Sequence, residues 1–299
     1  MLELWVIFAF ISAITIAVSG ILSKKLLKDL DSNQLMFEEY FLMLIFVLIF
    51  WFGNVDFLSF KYHWDLYLLK ALFIFLFGFL YFRLLKDHDI STVSPLLNLS
   101  PVFLVIISSA FLGEVVTNLQ LLGIFIVILA TYFLEVNFHI HHNNGKISLK
   151  NYFNNILKFD WKIICLVISM LIIISFAAVV DKMIFSYVDV YTNMFFTAFL
   201  IALGLFLYYI KEGKLNKVYL KCKNNPLVIV FAGFKFVSTF FILKALAIPT
   251  AMVSLVIPIK RTSTLFSALI GGVIFHENHL IKKVISVLIM LVGVFIITM

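Results

Sequence analysis

The stretch SPLLNLSPVFLVIISSAFLGE, residues 94–114, recurs in outline as IPIKRTSTLFSALIGGVIFHE, residues 257–277. In each copy a proline, Pro95 or Pro258, precedes a glutamate, Glu114 or Glu277, by 19 residues. Most of each copy is apolar enough to lie in a lipid bilayer. The second copy nevertheless contains two adjacent positive charges, Lys260 and Arg261, just after its proline. The fold must therefore explain both a duplication and deep charges.

The composition indicates a membrane protein. Of the 299 residues, 63% are hydrophobic and only 13% are charged, whereas a soluble domain has about 25% charged residues. The net charge of +7 comes from basic residues that fall mainly between apolar runs, where lipid head groups and topology explain them. We therefore expect a lipid bilayer and no nucleic acid as partner. Cys165 and Cys222 form no metal or disulfide pattern.

Ten apolar segments are long enough to be transmembrane helices, each needing about 20 residues. They are residues 3–23, 34–53, 66–85, 91–113, 119–136, 161–180, 190–210, 227–247, 250–275 and 279–298. The first is interpreted as a transmembrane helix and not as a signal peptide, because no basic region precedes it. A polar linker, residues 137–160, separates a first five-helix unit, residues 1–136, from a second, residues 161–299.

The two units match at further positions. The shift of 163 residues that relates the proline–glutamate pairs also places Ser91 on Ser254 and Ser100 on Ser263. Earlier in each unit, a shift of 158 residues places Lys24 on Lys182 and Asp31 on Asp189. Because five is an odd number, the second unit enters the membrane from the opposite side. We predict an all-α integral membrane protein with ten transmembrane helices arranged as two inverted five-helix repeats.

Residues 94–134 resemble the end of an EamA domain, in which a proline-containing helix leads through a glutamate turn into a helix beginning with Gln and Gly. The matching residues are Pro95, Pro101, Gly113, Glu114, Gln120 and Gly123. The second copy has Glu277 and Gly293 but departs from the pattern at His276 and Ser286. The resemblance implies a drug/metabolite transporter with ten helices in two inverted repeats, which moves small metabolites by alternating access. It does not identify the substrate.

Glu114 and Glu277 lie at predicted helix boundaries. A carboxylate there accepts hydrogen bonds from free N–H groups at the positive end of a helix. We favour this structural role over a role in proton coupling, which is the alternative.

Lys260, Arg261 and Lys235 are the candidate substrate ligands. Insertion of a Lys or Arg at a helix centre costs about 2.5–3.5 kcal/mol, so such residues normally face a partner or a wet cavity. We predict that these cations hold an anionic group of a substrate. The Lys-Arg pair is also similar to the phosphate-binding pair of triose-phosphate and nucleotide-sugar translocators. Asn98, equivalent to Arg261 in the first copy, is a weaker candidate.

Glu38 and Glu39 are the best opposing anions. The alternative to ligand binding is a structural ion pair between one of them and Lys260 or Arg261. Snorkelling of the two cations to the membrane surface is a third interpretation. Lys70 and Arg83, close to the ends of the third segment, are expected to snorkel.

These observations predict a multi-pass carrier in the cell membrane for a small, polar, anionic metabolite, with no cofactor and no bound metal. An exporter of amino acids or drug-like compounds is the rival transporter. An intramembrane enzyme acting on lipid-linked substrates is the rival of another class, but no cluster of acids, bases or metal ligands supports it. His139–His142 are interpreted as a solvated loop.

The orientation in the membrane is left open by two conflicting signals. Lys and Arg concentrate in the first, third, fifth, seventh and ninth connections, so the positive-inside rule places those connections in the cytoplasm and both termini outside. The EamA resemblance implies termini inside.

Overall fold

In a computed structural model of the chain, the structure describes residues 3–87, 99–139, 161–213, 225–264, 266–267 and 280–297. The described residues form ten α-helices and one short 3-10 helix, Phe52–Asn54. The α-helices are α1 (Leu4–Leu26), α2 (Ser32–Trp51), α3 (Phe57–Asp87), α4 (Ser100–Leu112), α5 (Asn118–His139), α6 (Trp161–Ile184), α7 (Val190–Lys211), α8 (Leu227–Ala247), α9 (Val253–Arg261) and α10 (Leu280–Ile297).

The described part of the chain contains six helices that are long and apolar enough to cross a membrane, namely α1, α2, α3, α6, α7 and α8. Shorter apolar stretches occur in α4, α5 and α10. Each of the ten predicted segments overlaps one of the ten helices. The prediction of an all-helical membrane protein is thus confirmed for the described residues, whereas ten membrane crossings and the inverted relation of the repeats stay predictions.

Helix α3 begins at Phe57, earlier than the predicted residue 66. It bends at His63, whose backbone angles, φ −130° and ψ 25°, are not helical. The 31 residues of α3 correspond to a length of about 46 Å at 1.5 Å per residue, longer than the hydrocarbon core of a bilayer. Lys70 consequently lies near the middle of a helix and not near its end.

Helix α9 is short, and it contains a proline, Pro258, that interrupts its hydrogen bonding. Pro258 has no N–H group, so one hydrogen bond of the helical ladder is missing. At its carboxyl end the helix changes to 3-10-type hydrogen bonding, because the Thr262 N–H donates to the Ile259 carbonyl at 3.1 Å. Lys260 and Arg261 therefore occupy the last turn of a helix, where the partial negative charge of the carboxyl end favours cations.

Apart from the contact of α9 with α5, the main contacts between the described parts of the two halves follow an exchange pattern. Helix α1 packs on α8, and its counterpart α6 packs on α3; α2 packs on α8, and α7 packs on α3. Likewise α1 contacts α9, and α6 contacts α4. Three further contacts join counterparts directly: α2 with α7, α4 with α9, and α5 with α10. Exchanging the halves leaves this set of contacts unchanged.

Small residues let these helices approach closely. Ala9, Ala13 and Ala17, four residues apart, form a buried stripe on α1. Ser12 on α1 and Ser238 on α8 are hydrogen bonded at 3.0 Å. Such small-residue faces are typical of helix packing in membranes, where close backbone contact replaces the hydrophobic effect.

Gly123 on α5 and Gly293 on α10 face each other where the two helices cross closely. A Cβ atom on Gly123 would lie 2.8 Å from the Gly293 carbonyl oxygen, and one on Gly293 would lie 3.0 Å from the Gly123 carbonyl oxygen. A side chain at position 123 would therefore force a shift of the α10 backbone, and one at position 293 would crowd the α5 backbone. The two EamA-motif glycines thus meet across the halves.

Residues matched by the shift of 158 have equivalent contacts. Lys24, near the end of α1, donates to the Leu85 carbonyl near the end of α3 at 2.7 Å. Lys182, near the end of α6, donates at 2.8–2.9 Å to carbonyl oxygens at and just beyond the end of α8, those of Leu246, Ile248 and Ala251. Each lysine thus satisfies carbonyl groups that a helix end leaves without donors.

Asp31 and Asp189 are the second matched pair, and both are N-caps. Asp31 caps α2 and forms a capping box with Gln34. Asp189 caps α7, its carboxylate accepting from the Thr192 N–H at 2.8 Å. Both aspartates satisfy N–H groups that the first turn of a helix leaves free.

Candidate functional site

A cavity of about 270 Å³ lies between the two halves. Its described walls come from α1 to α4 of the first half, from α6 to α9 of the second, and from residues just after Arg261. Much of the wall is apolar, including Ile16, Phe77, Leu104 and Ile257. Substrate sites of transporters built from repeats typically lie at such an interface.

Charged side chains line this cavity in unequal numbers. Four are cations and two are carboxylates, so the described lining carries a formal excess of two positive charges: Lys70, Lys235, Lys260 and Arg261 against Glu39 and Asp181. Three of these cations are the predicted ligands. Unpaired charge at membrane depth is costly unless it faces a partner or a water-filled cavity.

Arg261 and Lys260 have no carboxylate within 4 Å in the part of the chain that the structure describes. The Nε–H group of Arg261 donates to the Ser100 hydroxyl at 2.7 Å, across the contact between α9 and α4. This bond fixes the guanidinium plane, while its terminal N–H groups make no described hydrogen bond. A planar fork held in this way suits a carboxylate or phosphate group.

Lys235 is paired with Glu39. Its Nζ atom lies 3.3 Å from Glu39 Oε1 and 5.8 Å from the centroid of the Phe82 ring. The alternative in which Glu39 pairs with Lys260 or Arg261 is therefore wrong for this structure, because α8 brings a different cation to α2. Glu39 Oε2 is buried and has no hydrogen-bond partner among the described residues.

The remaining predicted site residues are not at the described cavity wall. Glu38 is buried but does not line the cavity, since adjacent helical residues point about 100° apart. Pro258 is buried in α9. Pro95, Asn98 and Glu277 lie outside the described residues.

A second charged cluster in the cavity was missed by the sequence analysis. Lys70 Nζ lies 2.5 Å from Asp181 Oδ1 and donates to Asn193 Oδ1 at 2.8 Å. The Asn193 amide in turn donates to Asp181 Oδ1 at 2.8 Å. The prediction that Lys70 snorkels is wrong, because it is 3% exposed. The sequence signal that could have predicted this pair is that Lys70 and Asp181 each interrupt an apolar run. Arg83, in contrast, is exposed near the end of α3.

Glu114 connects the two halves at the amino end of α9. Its carboxylate accepts from the Val253 N–H at 2.6 Å, from the Ser254 N–H at 3.0 Å and from the Ser254 hydroxyl at 2.5 Å. The expected role at a helix boundary thus corresponds to the observed contacts, but the capped helix belongs to the opposite half of the chain. Gly113, with φ 66°, ends α4 and turns the chain towards this contact.

Replacing Glu114 with alanine is expected to lower the free energy of unfolding by about 1–3 kcal/mol, because hydrogen bonds to a charged cap are lost. The measurement is the thermal unfolding of the purified protein in detergent. Asp65→Asn, at an exposed carboxylate of α3, is the control and should leave stability unchanged. A Glu114→Ala protein of normal stability that no longer transports would instead support the proton-coupling alternative.

The comparisons with known proteins agree with this architecture. Residues 3–136, which include α1 to α5 except for the last part of α5, match the model of the EamA-like transporter family. One solved structure, described only as "Crystal structure of protein", is similar with a TM-score of 0.71 and 14% sequence identity, covering 98% of this chain and 94% of that chain. At this identity the likeness shows the fold alone. No curated protein matches the chain.

Proposed function

We propose that this chain, whose residues 3–136 match the model of the EamA-like transporter family, is a member of that family and moves a small anionic metabolite across a cell membrane by alternating access. The family consists of membrane transporters of the drug/metabolite superfamily and not of enzymes. The observation that carries the anionic substrate is the excess of two positive charges in the cavity, with Arg261 and Lys260 lacking a described carboxylate partner.

A substrate anion would offset a real energetic cost. Each cation at membrane depth is unfavourable by about 2.5–3.5 kcal/mol unless it is paired or hydrated. Arg261 is oriented by Ser100, so its terminal N–H groups are available for two parallel hydrogen bonds to one anionic group. Lys260 is adjacent in sequence and adds a second positive charge on the same cavity wall.

The contact between two helix ends supports the proposed inverted repeat. The Asp56 amide, between α2 and α3, donates to the Thr192 hydroxyl at the start of α7 at 2.8 Å. The carboxyl end of α2 therefore adjoins the amino end of α7. Helix α1 leads into the amino end of α2, which lies on the side away from this contact. Helix α6 leads into the amino end of α7, which lies at the contact. We therefore infer that α1 and α6 run in opposite directions.

Two cross-half ion pairs fit such a cycle. Lys70 on α3 reaches Asp181 on α6, and Lys235 on α8, the counterpart of α3, reaches Glu39 on α2. Each half thus extends one lysine to the other half across the cavity. Rocking of one half against the other would break and remake contacts of this kind.

The experiment that tests the function is uptake into proteoliposomes containing the purified protein. Labelled small carboxylates and phosphate esters are compared with neutral sugars and organic cations, with protein-free liposomes as control. We expect saturable uptake of anions that unlabelled anions inhibit. Saturable uptake of cations or neutral compounds alone would overturn the proposal.

Orientation gives a further prediction. Most of the Lys and Arg residues lie in the connections that follow α1, α3, α5 and α7 or at the helix ends beside them, so the positive-inside rule places both termini outside the cytoplasm. A reporter that is active only in the cytoplasm, fused to the carboxyl terminus, should therefore be inactive, and a periplasmic or extracellular reporter active. A cytoplasmically active fusion would favour the orientation that the family resemblance implies.

A further inference from the structure

Glu39 lies beside the cations of the proposed substrate site without being fully satisfied by them. It is 4% exposed, and it lines the cavity from α2. Its Oε1 atom faces Lys235 Nζ at 3.3 Å, longer than usual for a charge-assisted hydrogen bond. Its Oε2 atom is buried and has no partner among the described residues. A buried carboxylate oxygen without a donor is unfavourable.

The cavity therefore contains two kinds of unsatisfied group. Arg261 and Lys260 offer donors and positive charge, while Glu39 offers an acceptor and negative charge. A plain anion complements only the first kind. If it approached Glu39, it would also be repelled by a like charge. The apolar wall residues Phe77 and Leu104 offer nothing to either group.

We infer that the substrate is a small organic anion that also carries a hydrogen-bond donor, a hydroxyl or an ammonium group, which binds the Glu39 carboxylate at the cavity wall. Its anionic group contacts Arg261 and Lys260, and its short apolar part faces the hydrophobic wall. The cavity of about 270 Å³ limits the substrate to a small molecule. This inference rests on the proposed function, since it assumes that Arg261 and Lys260 hold the anion.

Glu39 would then determine specificity. A site that contains a buried hydrogen-bonding group discriminates strongly against an analogue without the matching group, because that analogue leaves the group unpaired. A hydrogen bond to a charged group corresponds to a difference of about 10- to 100-fold in affinity. Inorganic anions and unsubstituted carboxylates should therefore bind weakly.

The test uses ligands with the same three-carbon skeleton and the same anionic group, with and without donor groups. Propionate is compared with 2-hydroxypropionate and with 2-aminopropionate, and propyl phosphate with glycerol phosphate, by thermal-shift titration of the full chain in detergent. We expect at least one donor-bearing ligand of a pair to bind about 10-fold or more tightly than its donor-free partner. Comparing 2-hydroxypropionate with 2-aminopropionate shows whether the site prefers a hydroxyl or an ammonium group. Equal binding within every pair would overturn the inference.

Glu39→Gln assigns any preference to Glu39. The change keeps the size of the side chain and removes the charge, so the preference for the donor-bearing ligand should fall to about 3-fold or less. Asp65→Asn, at the exposed carboxylate of α3, should keep the full preference. Should Glu39→Gln not fold, the matched pairs with the unaltered chain still decide.

Two negative outcomes are distinguishable. If anions bind but the donor makes no difference, or if Glu39→Gln keeps the preference, only the role of Glu39 is refuted. If no anion of either series stabilises the protein or enters proteoliposomes, the proposed function itself is refuted.

Discussion

Replacing Lys70 with methionine is expected to lower the free energy of unfolding by about 3–5 kcal/mol, because it leaves the Asp181 carboxylate buried without its cation. The pair joins the two halves at 2.5 Å, and both side chains are less than one-tenth exposed. Asn193, which is also buried, contacts both members but cannot neutralise Asp181. The measurement is thermal unfolding in detergent, together with the yield of folded protein.

The chain contains a matched control for this prediction. Lys86 and Asp31 form an ion pair of similar length, 2.7 Å, but their side chains are 41% and 69% exposed. Exposed pairs contribute only about 0–1 kcal/mol, so Lys86→Met should change stability little. The double variant Lys70→Met/Asp181→Leu removes both buried charges and should recover most of the lost stability. Equal, small effects of Lys70→Met and Lys86→Met would contradict the prediction.

Hydrophobicity alone predicted where the helices lie, because long apolar runs are required of any helix in lipid. The start of α3 was missed for the same reason. Lys61, His63 and Asp65 interrupt the apolar pattern, although the helix continues through them with a bend at His63. That error in the boundary led directly to the wrong expectation for Lys70.

Internal matching predicted more than hydrophobicity did. The shift of 158 paired Lys24 with Lys182 and Asp31 with Asp189, and each pair has equivalent contacts in the structure. Segments that match in this way share local requirements, such as a capped helix start or free carbonyl groups at a helix end. A match between repeats is therefore informative about local roles.

The partners in the two buried ion pairs could not be predicted from the sequence. Glu39 was predicted as an anion opposing the cations, but its partner is Lys235 and not Lys260 or Arg261. The partner depends on which face of α8 turns towards α2, and these helices are far apart in the chain. Asp181 was missed altogether because its pairing requires α3 to pack on α6. Contacts between halves are set by packing geometry, which composition and spacing do not encode.

Replacing Arg261 or Lys260 with glutamine is expected to weaken anion binding about 10- to 100-fold each, which corresponds to the loss of about 1.5–3 kcal/mol of charge-assisted hydrogen bonding. The reason is that neither cation has a described carboxylate partner, so its removal should affect the substrate and not the fold. The measurement is uptake into proteoliposomes at several anion concentrations. Melting temperature in detergent is determined in parallel.

The control variants separate charge, geometry and folding. Arg83→Gln removes an exposed arginine of α3 and should leave uptake normal. Arg261→Lys keeps the charge but loses the planar fork and the Nε–H bond to Ser100, so it should bind anions with intermediate affinity. If Arg261 instead had a structural role, Arg261→Gln would melt at a lower temperature than the unaltered protein. A stable Arg261→Gln protein with normal uptake would eliminate Arg261 as a ligand. That result would also remove the main support for an anionic substrate, because the excess of two positive charges in the cavity depends on Arg261 and Lys260.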